Sequence, residues 1–96
     1  MIKTFAQLKR DLQNIYLNNG SIKTLTNNIK PEKNGQTRQI HNLQTNAIIF
    51  KDETTRTGNS YLWYPKTSYI KYYDDILEIY EDTAQTKLLF KYQLQD

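Results

Sequence analysis

A chain of 96 residues with 13 basic and 10 acidic side chains has room for one hydrophobic core, so a single domain over residues 1–96 is expected. It has no cysteine and one histidine, which excludes a disulfide framework, a thiolate metal cage and any Cys–His or His–His pair for metal or nucleophilic chemistry. The amino-terminal run lacks a signal peptide's apolar stretch, no segment has the length of a membrane span, and a secreted domain this small would need covalent staples; a cytoplasmic protein with no membrane contact is expected.

The first element is a helix. Thr4-Phe-Ala-Gln7 fits a capping box, and Phe5, Leu8, Leu12 and Ile15 recur at three- and four-residue steps that define one apolar stripe. Lys9, Arg10 and Asp11 occupy the other side, and Gly20 is placed to end the helix in a left-handed conformation. A competing reading makes Asn19-Gly20 a hairpin turn, but the helical spacing runs through Ile15.

Beyond Gly20 the period becomes that of strands. Ser21–Asn27 is a polar strand, and Lys30–Gly35 is a loop marked by Pro31 and Asn34-Gly35. Thr37–Asn42 is a weak strand holding His41, and Thr45–Lys51 carries the β-favouring run Ala-Ile-Ile-Phe. A polar loop at Asp52–Asn59 leads to a strand at Ser60–Tyr64, which Pro65 closes because its nitrogen cannot donate to a ladder. Ser68–Tyr73 and Ile76–Glu81 form a hairpin across Asp74-Asp75. After a turn at Asp82–Gln85, Lys87–Leu94 alternates, with Leu88, Phe90, Tyr92 and Leu94 on one side.

Short connections between short strands favour antiparallel neighbours. The expected fold is α+β: one amino-terminal helix packed on a strongly bent antiparallel sheet or small β-barrel of about six strands.

The runs Gln44-Thr-Asn-Ala-Ile-Ile-Phe50 and Ser60-Tyr-Leu-Trp-Tyr-Pro-Lys66, and the strand ending Ile79-Tyr80, resemble small uncharacterised proteins encoded by phages and prophages of Gram-positive bacteria. The basic-faced helix followed by Gly20-Ser21 is similar too. The resemblance implies a mobile-element origin and no particular reaction. The composition agrees: valine is absent, while isoleucine, asparagine, lysine, threonine and tyrosine, whose codons are AT-rich, abound. Small phage proteins often act by binding host machinery, inhibitors of defence nuclease complexes such as anti-CRISPR proteins among them.

The residues offer little for catalysis. The glycines at 20, 35 and 58 are scattered in turns and build no phosphate loop, and no serine sits in a nucleophile elbow. His41 reads as an ordinary polar strand residue; a ribonuclease using His41, Arg38 and a tyrosine is the least favoured reading. Asp74, Asp75, Glu78, Glu81 and Asp82 have the spacing of two turns about a strand, without the glycine bend of a calcium loop. No metal and no cofactor is expected.

Binding is better served. Tyr61, Trp63, Tyr64, Tyr69, Tyr72 and Tyr73 crowd a short stretch together with Lys66 and Lys71. Strand alternation puts Tyr61 and Trp63 on one face and Leu62 and Tyr64 on the other, so one face can build core while the other displays aromatic and basic groups. For any one tyrosine, half-buried packing competes with display. Charge is uneven: residues 1–73 hold eleven basic and four acidic side chains, residues 74–96 two and six. Lys9, Arg10, Lys23, Lys30, Lys33 and Arg38 form a basic surface able to meet phosphates or simply to be solvated.

The expected function is a non-enzymatic, phage-type binding protein that modulates a host protein or nucleoprotein, a defence nuclease among the candidates. Tyr61, Trp63, Lys66 and Lys71 form the expected partner-binding surface. The alternative is a single-stranded nucleic-acid binder using a basic aromatic sheet face.

Overall fold

A computed structural model describes residues 2–94. Helix α1 spans Phe5–Leu17, and the Thr4 hydroxyl accepts a hydrogen bond from the Gln7 N–H at 3.1 Å, closing its first turn. Leu8, Leu12 and Ile15 are buried, while Phe5, one turn earlier on the same stripe, stays exposed.

The helix ends through Asn19 rather than Gly20: Asn19 has φ +58°, and the Gly20 N–H bonds to the Ile15 carbonyl while the Asn19 N–H bonds to that of Tyr16. This is the Schellman pattern, with the short asparagine side chain tolerating the left-handed conformation.

Eight strands follow among the described residues: β1 (Ile22–Asn27), β2 (Thr37–Arg38), β3 (Ile40–Gln44), β4 (Ala47–Lys51), β5 (Asn59–Trp63), β6 (Tyr69–Tyr73), β7 (Ile76–Tyr80) and β8 (Leu88–Leu94). They form two antiparallel sheets, one of five strands in the order β2-β1-β8-β7-β6 and one of three in the order β3-β4-β5. The barrel alternative is not realised. The sequence segment Thr37–Asn42 is divided between the sheets at Gln39, which adds a strand and makes the bend.

One buried cluster fills the space between the helix and the two sheets, drawing Leu8 and Leu12 from α1, Ile48 and Phe50 from β4, Leu77 and Ile79 from β7, and Phe90 and Tyr92 from β8. Phe90, Tyr92 and Leu94 turn inward as alternation requires. Leu88 departs from it: the register slips at Leu89, so that Leu88 faces Tyr80 half-buried while Leu89 is buried. A slip at His41 likewise lets Ile40 and Leu43, three residues apart, both reach the core. Among the described residues no helix is long and apolar enough to cross a membrane.

Candidate binding groove

An open groove of about 800 Å³ lies where the two sheets diverge. One side is built by β1, β2 and the segment joining them; the other is built by β4 and β5.

The joining segment is held in place by asparagines. The Asn27 side-chain oxygen accepts from the Ile29 and Lys30 N–H groups at 3.0 and 2.8 Å, and Asn34 accepts from the Asn27 N–H at 2.6 Å. A single 3-10 turn at Pro31–Lys33 follows, with the Lys33 N–H bonded to the Lys30 carbonyl at 2.9 Å. Gly35, at φ +86°, then returns the chain so that its N–H meets the Thr24 carbonyl. Lys30 and Lys33 therefore stand one turn apart on the groove wall. Among the described residues neither has a carboxylate within 4 Å.

On the facing strand, alternation sorts β5 cleanly. Leu62 packs against the core, and beyond the strand Tyr64 is buried with its hydroxyl donating to the Gln44 carbonyl at 3.1 Å. Tyr61 and Trp63 point the other way and are 48% and 59% exposed. Their rings stack, with centroids 5.6 Å apart and planes 10° from parallel. Ile49 and Ala47 lie directly opposite them on β4 and are buried. The two rings thus stand on an apolar base on the face of β5 opposite Ser60 and Leu62, and both residues border the groove.

Lys51 completes this wall, and its only carboxylate neighbour among the described residues is Glu53 at 3.8 Å. Both groups are well exposed, so that pair contributes little. Between the walls sits Arg38, with Asp52 beside it. The Thr54 hydroxyl and N–H, both bonded to Asp52, hold its carboxyl below the usual aspartate range, and the nearby Arg38 charge works in the same direction.

The four residues expected to form one surface are separated. Tyr61 and Trp63 line the groove, but Lys66 lies in the exposed turn after Pro65, outside it. Lys71 is on β6, opposite Glu78, with its ammonium 5.3 Å from the Tyr73 ring centre. The rings and Lys71 do not share a surface because β5 and β6 belong to different sheets. The cations that line the groove with the rings are Lys30, Lys33, Arg38 and Lys51. Three of these belong to the expected basic surface; Lys51 has no signal in the sequence beyond its place next to a loop.

His41 is exposed and meets Tyr16 edge-on, with ring centres 5.5 Å apart. Glu78 is the buried carboxylate of the acidic segment, 3.6 Å from Lys91 and accepting from the Tyr80 hydroxyl at 3.0 Å. It is thereby paired within its own sheet.

No family model, curated protein or solved structure matches the chain.

Proposed function

We propose that this protein works by binding rather than catalysis and that the groove between its sheets takes single-stranded nucleic acid. The observation that carries the reading is the exposed Tyr61–Trp63 stack bordering a groove whose walls hold Lys30, Lys33 and Lys51. Bases stack on aromatic faces with about 1–3 kcal/mol each and little sequence preference, while lysines meet the phosphates. The resemblance to phage-encoded proteins supports a setting in which the bound strand belongs to host machinery, such as the nucleoprotein of a defence nuclease.

The test is fluorescence anisotropy with a labelled oligo(dT) and a duplex of equal length, across a salt series. Binding should favour the single strand, and log K should fall by about 0.7 per neutralised phosphate for each unit of log salt.

One observation favours a second reading, in which the groove docks a host protein directly. Ile29 is exposed beside the groove and, with Trp63, offers apolar area of the kind that anchors protein interfaces. Absence of oligonucleotide binding at low salt, with one host protein retained from nuclease-treated lysate, would select it.

A further inference from the structure

Arg38 is the last residue of β2, yet its guanidinium belongs to the other sheet. Its central carbon lies 4.3 Å from the Phe50 ring centre on β4. Its Nη2 donates to the Ser60 hydroxyl of β5 at 2.6 Å and lies 3.6 Å from the Asp52 carboxylate just after β4. Asp52 is itself fixed: one of its oxygens, Oδ1, accepts from the Thr54 N–H at 3.0 Å and the Thr54 hydroxyl at 2.5 Å, leaving Oδ2 facing Arg38. One side chain, 28% exposed, thus reaches three points on the three-stranded sheet from an anchor in the five-stranded one.

The chain supplies only a short hinge at this place. Gln39 separates β2 from β3, and its carbonyl accepts from the Lys51 N–H at 2.9 Å. The sheets are joined through the shared core, where the Phe50 and Tyr92 rings lie 6.3 Å apart, and beside that hinge by whatever side chain crosses between them at the groove. Arg38 does so with a planar fork that lies on a ring while donating from its edge, which an ammonium cannot reproduce. A cation that receives phosphate needs uncommitted charge. Arg38 has a carboxylate beside it and a committed donor, whereas Lys30 and Lys33 have neither among the described residues.

We infer, building on the nucleic-acid reading, that Arg38 is a positioning residue. It sets the angle between the sheets and the placement of β5, while Lys30, Lys33 and Lys51 meet the charge of the strand.

Two measurements on Arg38→Gln and Arg38→Lys test this, one of them without ligand. In the free protein, hydrogen exchange at the amides of Ser60–Trp63 should quicken by about tenfold or more in both variants, while the amides of β7 and β8 keep their protection. In oligo(dT) titrations, affinity should fall about tenfold with the salt slope unchanged, whereas Lys30→Ala, Lys33→Ala and Lys51→Ala should each lower the slope by about 0.7. Unchanged exchange on β5 in both variants would overturn the positioning role. So would a salt slope reduced in Arg38→Gln by a full lysine's increment and restored in Arg38→Lys, because that marks a phosphate contact. Uniformly faster exchange in every strand would also overturn it, marking Arg38 as a general stabiliser. If the unaltered protein binds no oligo(dT), the nucleic-acid reading fails, and the exchange of β5 alone decides whether Arg38 positions the strand.

Discussion

Tyr61 and Trp63 are stacked on each other on the outer face of β5, with 5.6 Å between ring centres and near-parallel planes. A separation of that size leaves no room for a base between the rings, so a ligand can use only their outer faces. The indole, more than half exposed, should emit at long wavelength and be readily quenched by acrylamide in the free protein. Oligo(dT) should protect it and quench it through stacking. A blue, quencher-resistant emission from the free protein would place Trp63 in the core instead and remove the aromatic half of the site.

Leu12 and Phe90 are 2% and 1% exposed and lie in the one buried cluster shared by helix and sheets. Alanine at either position removes buried apolar atoms and leaves a cavity, at a cost of about 2–5 kcal/mol. That is a large share of a small domain's stability, so the urea midpoint should drop sharply in each variant. An unchanged midpoint in both would contradict the packing described here.

The helix and the hairpin strands were legible because each announces itself over a few neighbouring residues. Leu8, Leu12 and Ile15 follow the helical step, and Phe90, Tyr92 and Leu94 follow the strand step. What the sequence concealed was long-range. Nothing in Thr37–Asn42 marks Gln39 as the point where the chain leaves one sheet for the other, because the hinge is fixed by contacts with Lys51, Phe50 and Ser60, ten or more residues away. The same holds for the site. Tyr61 and Trp63 could be assigned to one face by parity, but parity cannot say which cations stand across a groove. Lys66 and Lys71 are near the rings in sequence and absent from the groove, while Lys30 and Lys33 are some thirty residues distant and line it.

The β6–β7 turn is a place where the fold works against local preference. Tyr73 pairs with Ile76, so Asp74 and Asp75 make a two-residue connection, and both have positive φ, +46° and +62°. That is the pattern of a type I′ turn, in which Asn-Gly is favoured because glycine has no Cβ to crowd the left-handed conformation. Replacing Asp74-Asp75 by Asn-Gly should relieve this strain and also remove two adjacent negative charges. The expected gain is about 0.5–1 kcal/mol after the added flexibility of glycine in the unfolded chain. In a domain of this size that raises Tm by about 2–8 °C. The Leu94 N–H that bonds to the Asp75 carbonyl keeps its acceptor, since only side chains change. A lower Tm would show that the two carboxylates stabilise the turn by contacts worth more than its strain.

Alkaline pH offers a test of the buried phenols. Burial pushes the Tyr64 hydroxyl from its ordinary value of 10.0 up to about 12, and its hydrogen bond to the Gln44 carbonyl requires the protonated form. Burial raises Tyr92 as well, against a smaller opposing effect from Arg38. A group whose pKa is higher in the fold than in the unfolded chain binds its proton more tightly when folded. The stability tied to Tyr64 is therefore complete below pH 10 and declines as the pH rises from there through about 12. Difference absorbance of tyrosinate should show Tyr64 and Tyr92 ionising above the ordinary tyrosine range. Urea midpoints should hold between pH 7 and 9 and decrease above 10. Tyr64→Phe keeps the ring and removes the ionisable group, so it should lessen that alkaline decline while losing the bond to Gln44, at about 0.5–1.5 kcal/mol. A variant that declines with pH as steeply as the parent would leave Tyr64 without a part in the alkaline sensitivity and assign it to the other raised phenols, Tyr73, Tyr80 and Tyr92.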